Sequence, residues 1–165
     1  MKWQTGGTYA DVVDQYVDYV KYHFGQQATI VFDGYGSGPT IKDHEHDRQS
    51  MTSAPNIAVD ANKPAFGNKA TFLANEGNKK SFLVLLINRL RAVGHNIYQA
   101  PDDADTLVAS KALEVARKNE PVTVVATDTD ILVLLLYHFE ECMADIYFHS
   151  EVKLRKSMHT QLSSV

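Results

Sequence analysis

Val122-Thr-Val-Val-Ala-Thr-Asp-Thr-Asp130, followed at once by Ile131-Leu-Val-Leu-Leu-Leu136, is the stretch that decides how this 165-residue chain is expected to fold. The first run is short, apolar and rich in valine, which suits a strand buried in a parallel sheet. It stops at two acids separated by one residue, and a fully apolar run follows. Asp128 and Asp130 are therefore placed at the carboxyl end of a strand, where open α/β sheets build their sites. An acid pair on so rigid a support suits a divalent cation. Other acids must converge on it before the reading carries weight.

The rest of the chain supplies the surroundings. At 165 residues there is enough sequence for one domain with a sizeable core. Hydrophobic residues make up 44% and charged residues 22%, ordinary values for a soluble globular protein. The single cysteine, Cys142, cannot form an internal disulfide. It is expected to be a partly buried bystander in an intracellular protein of the nucleus or cytoplasm. No run is long enough to span a membrane, and no basic-then-apolar leader opens the chain. The net charge of −4, read alone, argues against a nucleic-acid binder.

Residues 8–24 place apolar groups at 9, 12, 13, 16, 17, 20 and 24, a helical stripe with Asp11, Asp14 and Asp18 on the other side. Thr8 suits its N-cap and Gly25 its stop. Ala28-Thr-Ile-Val-Phe32 reads as a second buried strand, ending in Asp33-Gly34. The charged run Lys42–Arg48 is expected to begin a helix. His44, Glu45 and His46 are too close in sequence to share a helix face, so that run reads as a solvated surface. From Ser50 to about Asn75 a long loop is expected, with a short strand at Asn56–Val59. Lys63, Lys69, Lys79 and Lys80 give this loop and its exit a basic bias.

A helix is expected over about Lys79–Val93, with Phe82, Leu83, Leu85, Leu86, Leu90 and Val93 inward and Gly94 as the stop. Asn96-Ile-Tyr-Gln99 reads as a short strand leading into Asp102-Asp-Ala-Asp105. Thr106–Lys118 reads as a helix, Val122–Thr127 as a strand, Ile131–Leu136 as a helix and Asp145–His149 as a last strand. The tail from Lys153 is expected to fray. Alternating strands and helices indicate an α/β fold with a parallel sheet under helical cover. Right-handed crossovers would bring the strand ends to one edge.

Asp33, Asp103, Asp105, Asp128 and Asp130 all fall at that expected edge. Five carboxylates gathered there would repel one another unless a cation neutralised them. All-oxygen ligands suit Mg²⁺ or Mn²⁺. Two such ions about 3.5–4 Å apart can clamp an in-line displacement at phosphorus. The plainer account is that some of these acids merely cap helices, Asp102 first among them.

Val31-Phe-Asp-Gly34 with Pro39, Lys42 and Arg48 after it, then Asp103-Ala-Asp105, then Thr127-Asp-Thr-Asp130, resemble in that order the motifs of the flap-endonuclease and PIN-like nuclease superfamily. The resemblance covers about residues 8–150, leaving 151–165 as a C-terminal tail. It implies a three-layer PIN-like fold with a mostly parallel central sheet flanked by helices. It further implies that Asp33, Asp103, Asp105, Asp128 and Asp130 are the catalytic metal ligands for Mg²⁺ or Mn²⁺. Lys42 and Arg48 match basic residues that approach the scissile phosphate of a DNA or RNA substrate. Family members begin with a central strand that carries the first metal-binding Asp. Met1-Lys-Trp-Gln-Thr-Gly-Gly7 is too short and too polar to supply it, so the pattern is expected to be truncated at its N-terminus, with that strand missing.

Setting aside the five candidate carboxylates turns the net charge from −4 to +1, which softens the objection to a nucleic-acid substrate. Two readings result. One is a metal-dependent phosphodiesterase acting on DNA or RNA. The other is a PIN-like module that keeps the fold, has impaired catalysis, and binds nucleic acid or a protein partner.

Overall fold

A computed structural model describes residue 3, residues 6–34, 54–101 and 103–150, and the backbone of residues 159–162. Lys42, Arg48, Asp102 and the His44–His46 run lie outside the described residues. The chain is α/β, and it divides into two compact units. One comprises Met1–Ile30 with Gly36–Tyr98; the other comprises Val31–Tyr35 with Gln99–Val165.

In the first unit, α1 (Tyr9–Phe24) starts where the sequence places it. The Thr8 hydroxyl accepts from the Asp11 N–H at 3.2 Å, and the Thr8 N–H donates to the Asp11 carboxylate at 2.7 Å. That reciprocal capping box satisfies amides that no helical carbonyl can reach. The next two, Tyr9 N–H and Ala10 N–H, donate to the Lys63 and Ala61 carbonyls at 3.0 and 2.9 Å. At the other end Gly25 adopts φ +87°, a conformation costly for a residue with a Cβ.

The inner face of α1 buries Tyr9, Val12, Val13 and Val17. Tyr9 joins an aromatic cluster with Trp3, Phe72 and Phe82, whose ring centroids stand 5.2–6.4 Å apart. Trp3 is buried here, so the opening stretch contributes to the core despite its polar neighbours. Phe72 lies on α2 (Lys69–Ala74), a short helix capped by Asn68 within the segment expected to be loop. Six residues give too few turns for a hydrophobic period to register.

Phe82 lies on α3 (Glu76–Ala92), which also buries Asn78, Leu86, Ile87 and Leu90. Its start is stitched to the preceding loop by two asparagines. Asn75 Nδ2 donates to the Ala54 carbonyl at 3.0 Å, and Asn78 Nδ2 to the Pro55 carbonyl at 2.9 Å. Asn78 Oδ1 accepts from the Ile57 N–H at 2.7 Å. The last of these bonds occupies the Ile57 amide, the other two hold the chain just before it, and no strand forms at Asn56–Val59.

β1 (Thr29–Phe32) and β2 (Asn96–Gln99) make a two-stranded sheet. Asn96 N–H donates to the Ala28 carbonyl and Ala100 N–H to the Phe32 carbonyl, so the ladder advances the same way along both strands and is parallel. The division between units crosses this pair: Val31, Phe32 and Gln99 belong with the second unit.

The second unit holds α4 (Ala104–Ala116), β3 (Val122–Ala126), α5 (Asp130–His138), β4 (Ile146–Ser150) and β5 (His159–Leu162). The strand order is β3-β4-β5. β3 runs parallel to β4 with Val124 opposite Phe148, as expected when a helix makes the crossover. β5 is antiparallel to β4, with Ile146 opposite Leu162, so part of the tail expected to fray forms a strand. Thus the described strands form two sheets, where one continuous sheet was expected. Ala109, Ala112, Leu113 and Ala116 of α4 pack with Val124, Ile131, Leu135, Met143, Ile146 and Phe148 in one core. Small alanines on α4 let a helix lie close to the sheet while Leu135 and Ile146 become fully buried. Cys142 is exposed, contrary to expectation. Among the described residues no helix is long and apolar enough to cross a membrane.

Candidate metal centre

The ends of β1 and β3 and the starts of α4 and α5 bring the predicted acids together within the second unit. Asp33 is the first residue after β1 and is exposed. Gly34 follows because nothing larger fits. A Cβ there would lie 2.6 Å from the Pro101 carbonyl carbon and would collide with the carbonyl oxygens of Ala100 and Pro101. The exit of β1 therefore lies directly against the connection from β2 to α4. Asp33 Oδ1 accepts from the Ala104 N–H, the first amide of α4, at 3.3 Å.

Asp103 occupies the N-cap of α4, yet its side chain makes no capping hydrogen bond. The helix-cap account therefore does not explain this carboxylate. Asp105, the second residue of the helix, lies in its first turn and is half-buried. After β3, Asp128 Oδ1 accepts from the Asp130 N–H at 3.0 Å, so Asp128 closes the start of α5. The Thr129 side chain at the formal N-cap makes no such bond. Asp130 is the first residue of α5 and is exposed. Three acids thus occupy first-turn or N-cap positions of two helices, where partial positive charge on the free amides favours them.

Convergence shows most clearly in the electrostatics of Asp105. Burial pushes its carboxyl above the ordinary carboxylate value, and the charges of Asp103, Asp128, Asp33 and Asp130 push it further in the same direction. All five predicted acids therefore share one field, delivered from three separate segments.

Shared field is not the same as shared coordination. Among the described residues no three acid, imidazole or thiolate groups are gathered closely enough to hold one ion as the side chains stand. Asp33 and Asp128 each commit one oxygen to a backbone amide. Drawing the others into a common sphere needs rotation about side-chain bonds, which exposed aspartates make on fast timescales. The donor set, all oxygen and strongly anionic, fits a hard divalent cation. Two features of the site escaped the sequence reading. The Asp33–Ala104 bond joins residues far apart in the chain. The close approach at Gly34 has only a glycine after a strand as its signal. No protein-family model, curated protein or solved structure matches this chain.

Proposed function

We propose that the second unit carries the centre of a divalent-metal-dependent nuclease that hydrolyses phosphodiester bonds of DNA or RNA. Asp33, Asp103, Asp105, Asp128 and Asp130 hold the metal, Mg²⁺ or Mn²⁺. One observation carries the reading: burial and four neighbouring carboxylates together raise the pKa of Asp105. Such a cluster is unfavourable at neutral pH unless something positive is bound. A bound ion supplies that charge, lowers the pKa of a coordinated water and stabilises the departing oxygen.

The chain's own residues prepare this chemistry. β3 and the starts of α4 and α5, whose apolar faces share one core, carry Asp103, Asp105, Asp128 and Asp130, and the Ala104 amide holds one oxygen of Asp33. Asp105, the only half-buried member, has the least freedom to leave the site. Lys42 and Arg48 are assigned to substrate phosphate by the motif resemblance alone. A three-layer PIN-like fold belongs to the same reading. Among the described residues β1 pairs only with β2 and β3 only with β4, so each keeps an edge that a further parallel strand of a central sheet could join.

The absence of a ready three-ligand group among the described residues favours a second reading, a PIN-like module with impaired catalysis that binds nucleic acid or a protein partner. Labelled single-stranded and flapped substrates of DNA and RNA separate the two. With Mg²⁺ or Mn²⁺ the protein should cut them, and Asp128→Ala or Asp130→Ala should abolish cutting. Cutting that persists in EDTA or in those variants would sink the metal mechanism. Intact substrate under every condition would favour the second reading.

A further inference from the structure

α1 has a second apolar feature that its core does not use. Its inner face is filled by Tyr9, Val12, Val13 and Val17, and the outer face of such a helix is ordinarily polar. The last two turns depart from that pattern. Tyr19, Tyr22, His23 and Phe24 are all exposed, Tyr22 at 87%. They nevertheless pack on one another. His23 stands 4.2 Å from Tyr19 and 4.9 Å from Tyr22, and Phe24 lies 6.0 Å from both Tyr19 and His23. Single exposed aromatics need no explanation, but four contiguous rings at one helix end do.

We propose that this aromatic end of α1 is a stacking platform for the unpaired bases of a single-stranded nucleic acid. Flat, solvent-facing rings match nucleobases, and stacking on them tolerates any base. His23 touches both tyrosines, meeting Tyr22 edge-on, and most of the Tyr22 surface stays open to a base. The turn also carries Lys21, a cation within reach of a backbone that follows the stacked bases. Of the acids on this helix, Asp11 is engaged by Thr8 and Asp14 pairs with Arg89 at 2.7 Å, while Asp18 stays exposed one turn before Tyr22. The first unit has ten Lys and Arg against eight Asp and Glu in its sequence, a net +2, while the whole chain carries −4. An aliphatic protein surface would instead call for a groove of branched side chains, which this turn lacks.

The platform requires neither the acid cluster nor any cleavage, and its test is done in EDTA so that a failure of the nuclease reading cannot be mistaken for its own. Fluorescence anisotropy of labelled oligo(dT) and oligo(U) at low salt should show binding stronger than to a duplex of equal length. Tyr22→Ala and Tyr22→Leu should each weaken it about tenfold, and Tyr22→Trp should restore it, because a π face rather than an apolar surface is what a base needs. Circular dichroism should show the same helix content throughout, since Tyr22 supports no core. Absent binding, a duplex preference, or full binding by Tyr22→Leu would overturn the proposal.

Discussion

Asp33 Oδ1 accepts a hydrogen bond from the backbone N–H of Ala104 at 3.3 Å, joining residues 71 apart in the chain. This bond ties the end of β1 to the first turn of α4, and with it two of the three acidic segments. It depends on Gly34, whose missing Cβ lets the turn sit against the carbonyls of Ala100 and Pro101. Gly34→Ala should therefore push the β1 exit away, at a cost of about 1–3 kcal/mol, the usual range for overpacking. Chemical denaturation measures that loss. The same variant should bind Mn²⁺ more weakly, because Asp33 moves with the turn. Unchanged stability would mean that the turn has room the geometry denies.

Asp105 gives a pH signature with a definite sign. Its folded-state pKa lies above the ordinary value of 3.8, mainly through burial and then through the other four carboxylates. Between 3.8 and the raised value the folded state therefore binds more protons than the unfolded state. Stability falls as pH rises through that window, and the full penalty is present above it. Metal-free Asp105→Asn should consequently melt higher than the parent at pH 7, with the difference vanishing below pH 3.8. Thermal melts in EDTA across this range check it. Parallel profiles for the two proteins would show that Asp105 is not under strain.

Asn78 is a buried polar residue whose side chain meets two backbone groups of the preceding loop, Ile57 N–H and Pro55 C=O. Asn78→Ala removes the partner of both, and each of these part-buried hydrogen bonds contributes about 0.5–1.5 kcal/mol. The expected outcome is a loss of stability in the first unit of about 1–3 kcal/mol, the sum of the two bonds. Hydrogen exchange at the Ile57 amide should accelerate. Protection of that amide in the variant would contradict the assignment.

The helices and strands that the sequence revealed are those with strong local signals. Thr8 and Gly25 bracket α1 by capping chemistry and a positive φ, and both positions read correctly. Apolar runs ending in acids gave β1 and β3, and hence the neighbourhoods of three of the five site residues. What stayed hidden depends on distant partners. The β1–β2 and β3–β4–β5 pairings are choices between edges, and no local period encodes them. β5 has a weak, polar sequence and owes its state to backbone bonding with β4. Likewise, where a strand was expected at Asn56–Val59, the Ile57 amide is taken by the Asn78 side chain, a partner invisible from that segment alone. For the site, residue type and position relative to strand ends were legible, but not the commitment of Asp33 and Asp128 oxygens to backbone amides.

The central claim is that five aspartates from three segments act together on a divalent cation. Mn²⁺ titration, followed by the electron paramagnetic resonance signal of the free ion at pH 7.5, tests it most directly. Saturable binding is expected for the parent protein and for Asp60→Asn, an exposed acid of the first unit. Asp105→Asn and Asp128→Asn should each weaken it at least about tenfold, as loss of a metal-centre ligand or its partner typically does. Saturable binding that survives both substitutions, or no saturable binding in the parent, would contradict the account.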